Sequence, residues 1–539
     1  MSNKSSEDAP PSEASRSTPP VDAQPKSLSE RSAGLLLHLT SLPGEYGIGN
    51  LGAPARALVD FLADAGITHW QICPVGPTGF GDSPYQVFST HAGNPYLLDW
   101  APIRDAGLLA QEELRPLNEL PPDQVDYGAL HHAHRPIAQL AAQRFTQNPN
   151  QLEHLYGPYE TFLSENAHWL EPYALYQTLK KRHQDQPWWL WPPEFRSFEQ
   201  TTRHPEQTRP TQETHLQRFL QYLFFGQWNR LRTHAKLRNV NIIGDLPIYV
   251  APDSADVWQR PDLFQLDITR GFPFPQAGVP PDYFNPDGQL WGNPLYDWPV
   301  HQNENYAWWL NRLDAQTRLF DLTRIDHFRG LHDYWSVPAG NPEARQGHWE
   351  PGPGPAFLQA LRARFPTLPF LAEDLGLLSQ AARDLRRASG LPGMAVLQFA
   401  FDGDPANLYL PHNLPPDLVL YTGTHDNDTT QGWYQAASEE VRGNFRSYLN
   451  VSGHDAPWDL LRAAYRSTSP LCITPAQDLL SLPSSARLNR PGHPTGNWTW
   501  RLLPDQLAHL REQSAPYLKE QAKLTNRLPN STRLQQPRA

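Results

Sequence analysis

Eight short apolar runs, most of them separated by segments with helical spacing, recur along this chain. They are GLLLHL near residue 34, HWQICPV near 69, VNIIGDLPI near 240, LTRIDH near 322, FLAEDL near 370, MAVLQFA near 394, LVLYTGTHD near 418 and LCITPAQDLL near 471. Repeated strand-helix units of this kind cover a parallel sheet. Eight strands suit a closed (β/α)8 barrel better than an open sheet, although a doubly wound sheet with insertions shares the same periodicity. The predicted fold class is therefore α/β, a (β/α)8 TIM barrel over residues 31–503 with mostly helical insertions between its strands. Residues 98–215 carry Leu, His, Gln, Glu and Trp at helical spacing and read as a helical inserted subdomain. Residues 261–300 are rich in Pro, Gly and aromatics and read as a loop insertion, long enough to suggest a site. Residues 1–30 have almost no large apolar side chains and are expected to form a disordered leader, and 504–539 a C-terminal helix with a frayed end.

The acidic residues fall at one end of these runs. Asp245 ends IIGD, Asp326 sits in RID, Glu373 and Asp374 follow FLA, Asp426 follows YTGTH, and Asp478 follows ITPAQ. Barrel active sites are built from the C-terminal ends of several strands, so these carboxylates are expected to converge on one pocket. An Asp at a strand end can also cap the next helix, and for any single one that reading stands beside the first. Glycosyl transfer needs one carboxylate as nucleophile and a second as acid and then base. Arg324 lies two residues before Asp326, on the same side of a strand, where its guanidinium can hold that carboxylate ionised. Asp326 is thus the nucleophile candidate. Glu373, in an apolar setting that raises its pKa, is the proton donor, while Asp374 alternates to the other face as a structural partner.

Other chemistries lack their residues. There is no D-x-[DN]-x-[DN]-G loop and no H-E-x-x-H helix, so no metal is expected. The G-x-G-x-x-G match at Gly47, Gly49 and Gly52 is separated from its strand by TSLPGEY and lacks the acidic residue that should close a second strand, so it reads as a tight loop and no cofactor is implied. A net charge of -11 without a Lys/Arg block argues against nucleic acid. No apolar run of 18 residues or signal-peptide pattern occurs, which argues against membrane association. Two cysteines in 539 residues fit a reducing compartment, and a cytoplasmic protein is expected. Aromatics make up 11% of the chain, 18 of them Trp, a composition suited to gripping sugar faces. The sequence leaves the oligomeric state open.

RIDHFRG, LAEDLG and GTHDNDTTQGW resemble three signature regions of the α-amylase clan. SLPGEYGIGNLG, DSPYQVFSTHAGNPYL, GDLPIYVAPDSADVW, AGVPPDYFNPDGQLWGNPLYDW and NRPGHPTGNWTWR narrow the resemblance to the amylomaltases, 4-α-glucanotransferases that plants call disproportionating enzymes, over about residues 32–503. The resemblance implies a barrel without a separate C-terminal β-sandwich, in keeping with the absence of β-rich sequence after Trp500. It also implies transfer of 1,4-α-glucan segments between maltooligosaccharide or starch chains, by double displacement through a covalent glucosyl-enzyme. Asp326 would be the nucleophile, Glu373 the acid/base and Asp426 the transition-state stabiliser. The sugar-binding set would comprise Arg324, His425, Asp245, Tyr85 and Ser83, with Tyr283, Phe284 and Trp291 stacking from the loop at 261–300. A hydrolase of the same clan shares the three carboxylates and is the alternative. A noncatalytic glucan-binding protein is a remote one, since such a protein would be expected to have lost them.

Overall fold

A computed structural model describes residues 28, 30–267, 274–281, 287–376, 378–493 and 495–529. Its strands, in chain order, are β1 (Ser32–Leu36), β2 (His69–Gln71), β3 (Asn241–Leu246), β4 (Gln276–Val279), β5 (Gln289–Pro294), β6 (Leu322–Ile325), β7 (Asp333–Val337), β8 (His348–Pro351), β9 (Phe370–Ala372), β10 (Gly393–Val396), β11 (Leu418–Tyr421) and β12 (Leu471–Pro475). Eight of them form a parallel sheet in the order β10-β11-β12-β1-β2-β3-β6-β9. The Ala372 N–H donates to Pro392 O at 2.8 Å, which draws β9 against the start of β10 and closes the barrel. These eight strands are the eight apolar runs of the sequence. Nearly every residue in them is buried, because helices cover the outside while side chains fill the interior. Leu36, Cys73, Ile243, Leu371, Met394 and Ile473 belong to that interior cluster.

Leu28 joins the same cluster, 1% exposed, just ahead of β1. A leucine from within the stretch assigned to the leader is thus packed against the barrel interior. Residues 1–27 and 29 lie outside the described residues. Gly47, Gly49 and Gly52 form the tight loop expected of them, with a Cβ at Gly49 falling 1.9 Å from Leu39 O.

Between β2 and β3 the chain folds into helices, of which Tyr127–Phe145, Tyr159–Arg182 and Gln212–Leu237 are the longest. The last crosses the expected boundary at 215. Its outward turns pack the insertion, and Trp228 and Leu231 join the core around the barrel. The region 261–300 is more than a loop. Within it β4 and β5 pair antiparallel, and β7 and β8 extend them to a four-stranded sheet in the order β5-β4-β7-β8. The sequence hid this sheet because QAGV and QLWGNP carry Gly and Pro and no clean alternation. Among the described residues the last strand ends at Pro475, and the chain closes with a helix over Pro504–Leu524 that contains one π-helical turn, Leu510–Ser514.

Candidate active site

Asp245 and Arg324 face each other in register on β3 and β6. Arg324 Nη1 reaches both Asp245 oxygens, at 2.9 and 2.7 Å, and Nη2 lies 2.8 Å from Asp326 Oδ1. The i, i+2 alternation thus places Arg324 and Asp326 on one side. Burial opposes the charge on Arg324, but Asp245 and Asp326 on either side raise its pKa well above the ordinary value. The side chains of Arg324 and Asp245 are 4% and 1% exposed, whereas Asp326 is 28% exposed and opens to the cleft. Asp245 and Arg324, predicted as sugar contacts, thus lie buried behind Asp326. The Asp245 oxygens are already engaged, both by Arg324 and one of them also by the Tyr85 hydroxyl.

Ile325 pairs with Ala372, so Asp326 and Glu373 leave adjacent parallel strands side by side. Adjacent strands stand about 4.8 Å apart, close to the carboxyl spacing of retaining glycosidases. Glu373 Oε2 accepts the His327 N–H and Oε1 the Leu375 N–H, each at 2.8 Å. Burial and, secondarily, the charge of Asp326 push Glu373 up to about 7, while Arg324 and the two N–H donors pull against them. A carboxyl raised in this way beside a second, cleft-facing acidic side chain is the pairing that a proton donor and a nucleophile require.

Asp426 follows β11 and is held from two sides. Asn489 Nδ2 donates to its Oδ1 at 2.6 Å, and His425 Nε2 lies 3.2 Å from its Oδ2. Burial works to raise its pKa, but His425 and Asn489 outweigh it and hold the carboxylate far below its usual range. His425 is correspondingly raised, Asp426 winning over burial. Tyr85 joins this group to the first. Its hydroxyl donates to Asp245 Oδ2 at 2.9 Å and stands 2.9 Å from His425 Nε2, its ring stacks on His425 with centroids 5.2 Å apart, and Ser83 Oγ accepts its N–H. Ser83 is therefore a support for Tyr85. Trp498, buried, backs both rings at 5.9 and 5.8 Å.

The remaining candidates divide. Trp291 is half-buried and meets His327 edge to face at 4.9 Å, so it reaches the cleft. Tyr283 and Phe284 lie outside the described residues. Asp374 serves structure, accepting the Met394 N–H at 2.7 Å and pairing with Arg386 at 3.2 Å. Asp478 does not join the cluster. It accepts the Thr430 N–H and hydroxyl and the Thr422 hydroxyl. It does not cap the helix that follows its strand but lies inside it and ties it to the start of the helix Thr430–Ala436, because the chain turns into a helix immediately after Pro475 and carries the carboxylate aside. Among the described residues no group of three His, Cys, Asp or Glu could hold a metal ion, and no helix is long and apolar enough to cross a membrane.

Asn489 was not singled out by sequence reasoning, nor was Arg487, which donates to the Asp426 main-chain oxygen. The motif NRPGHPTGNWTWR contains Asn489, and that is the signal through which it could have been found. A cavity of about 880 Å³ adjoins the carboxylates without containing them. Residues of the helical insertion line it together with Asp82, Gln86 and Trp291.

Residues 37–506 match the glycoside hydrolase 77 family, described as 4-alpha-glucanotransferase. The chain belongs to this family. It is 44% identical over 506 residues to the 4-alpha-glucanotransferase of Thermus thermophilus, covering 92% of this chain and 99% of that protein. With the Synechocystis 4-alpha-glucanotransferase it shares 43% over 484 residues, 89% of this chain and 95% of the relative. Among solved structures, the amylomaltase from Streptococcus agalactiae in complex with acarbose superposes with a TM-score of 0.87 at 34% identity, covering 93% of this chain and all of the other. The 4-α-glucanotransferase family is thus matched in sequence and fold over nearly the whole barrel, and the chain is a glycosyl-transferring enzyme.

Proposed function

We propose that the 4-α-glucanotransferase reaction proceeds here by a retaining double displacement on Asp326 and Glu373. Asp326 Oδ attacks C1 of the donor sugar while the Glu373 carboxyl protonates the departing 4-oxygen. The glucosyl ester so formed loses its sugar to the 4-hydroxyl of an incoming chain, whose proton returns to Glu373. Asp426, held ionised beside His425, takes the hydroxyls of the reacting sugar as positive charge develops on its ring. The observation that carries this reading is the pairing of an Arg324-bound, cleft-facing Asp326 with a Glu373 raised to about 7.

Asp245, Arg324 and Tyr85 then form the support behind the nucleophile, and Trp291 offers a ring to the sugar chain. Tyr283 and Phe284 are proposed sugar contacts on the sequence alone. The Streptococcus relative was solved in complex with acarbose, and α-glucan oligosaccharides are the substrates we assign to this cleft. The two cysteines, both free and buried, suit a reducing compartment, and we place the enzyme in the cytoplasm.

The test is maltotriose incubated with the wild-type protein and with Asp326→Asn. The wild type should release glucose with a ladder of longer chains, and the variant should lose at least about a thousandfold in turnover while still binding sugar. Transfer retained by Asp326→Asn would overturn the nucleophile assignment.

A further inference from the structure

Arg324 spends Nη1 on Asp245 and Nη2 on Asp326, which leaves Nε. That nitrogen donates to the thioether sulfur of Met394 at 3.4 Å, inside the barrel, where Met394 is 2% exposed. Nε partners are not supplied as a matter of course in this fold, since the buried Nε atoms of Arg312 and Arg501 have none. The sulfur is also set in place from behind. The Met394 N–H donates to Asp374 Oδ1 at 2.7 Å, and Asp374 is paired with Arg386. A Cβ on Gly393 would fall 2.5 Å from Asp374 Oδ2, so a residue without one lets the carboxylate reach Met394.

Composition points the same way. The chain has two methionines, and the other is Met1. Leucine fills nearly the same volume and replaces methionine in cores at little cost, so packing alone does not call for sulfur here. A protein that builds its interior from Leu, Ile, Val and Phe keeps its one internal methionine where a thioether meets the arginine of the active site.

We propose that Met394 is a positioning residue for glycosyl transfer, its sulfur accepting from Arg324 Nε and fixing the plane of the guanidinium against Asp326. The inference rests on the reading of Asp326 as nucleophile. When Asp326 Oδ bonds to C1 and the bond to the leaving oxygen breaks, the carboxylate becomes a neutral ester. Arg324 then holds one anion instead of two and is drawn toward Asp245. A partner on Nε resists that rotation and keeps Nη2 in place for the carboxylate released in the second step. A neutral, weak acceptor suits the task, because a third carboxylate would compete with Asp326 for the same positive charge.

Replacing methionine by norleucine throughout the protein exchanges sulfur for CH2 and changes only Met394 and Met1. The expected result is a thermal midpoint lowered by only a few degrees, KM for maltotriose within about twofold, and kcat lower by about five- to tenfold, the scale of one ordinary hydrogen bond. Met394→Leu should repeat this behaviour, and Met394→Gln, with an amide oxygen as acceptor, should recover part of kcat. Wild-type kcat in the norleucine protein overturns the proposal, and so does a Met394→Gln enzyme no better than Met394→Leu. A failure of the nucleophile reading is distinct from these, because it appears as turnover by Asp326→Asn.

Discussion

The proton on Glu373 is the most consequential single-residue property of the site. With its carboxyl raised to about 7, the fraction able to protonate a leaving oxygen falls as pH climbs through neutrality. The alkaline limb of kcat/KM should therefore have an apparent pKa near 7, and Glu373→Gln should abolish that limb along with most of the turnover on unactivated glucans. A glucosyl fluoride donor, whose leaving group needs no proton, should recover the first step in the same variant. Tyr85 makes a second residue-scale test. Tyr85→Phe keeps the ring stacked on His425 but removes the hydroxyl between Asp245 and His425. A loss of about tenfold in kcat with little change in thermal midpoint is expected, and steady-state kinetics with calorimetry would check it. Asp326 and Glu373 were legible in the sequence because strand alternation and strand ends constrain where such side chains go. Asn489 was not, since it reaches Asp426 from a loop 63 positions away, and nothing local in a loop encodes a distant partner.

At the scale of elements, the eight barrel strands could be read because parallel strands buried on both faces leave continuous apolar runs. The sheet of β4, β5, β7 and β8 could not, because its Gly- and Pro-bearing strands lack clean alternation and the β4–β7 pairing that joins its two halves spans the whole of β6 and its preceding helices. Asp478 illustrates the same limit. Its place at the end of an apolar run equals that of Asp426, and only the turn that follows β12 decides that it holds Thr430 while Asp426 faces the cleft. Asp478→Ala is accordingly expected to cost roughly 2 kcal/mol of stability, from the Thr430 and Thr422 donors left unpaired, while kcat stays within about twofold. Chemical denaturation alongside the maltotriose assay separates the two effects. A large fall in kcat at unchanged stability would return Asp478 to the site.

At the scale of the molecule, the active site weakens the fold that carries it. Glu373 titrates near 4.5 when exposed and near 7 in the folded chain, so the folded state holds a proton there that the unfolded state releases between those values. Its contribution to stability is therefore neutral below about pH 4.5 and becomes a growing penalty as pH rises to about 7. Glu373→Gln should raise the thermal midpoint at pH 8, by an amount corresponding to about 1–3 kcal/mol, and the gain should vanish near pH 4.5. The opposite weighting appears at the far end of the barrel. Arg527, fully buried, donates to the carbonyls of Tyr465, Ser467 and Ser469, and Arg31 donates to those of Tyr465 and Ser467 from the other side. Both guanidiniums thus sit at the carbonyl end of helix Ala456–Arg466, where the helix dipole favours positive charge. The segment entering the barrel and the segment leaving it grip the same few atoms. A short linker could join them directly, and the polypeptide could be opened instead at an exposed turn such as residues 203–209 of the helical insertion, giving a permuted enzyme whose order of synthesis differs while its cleft does not.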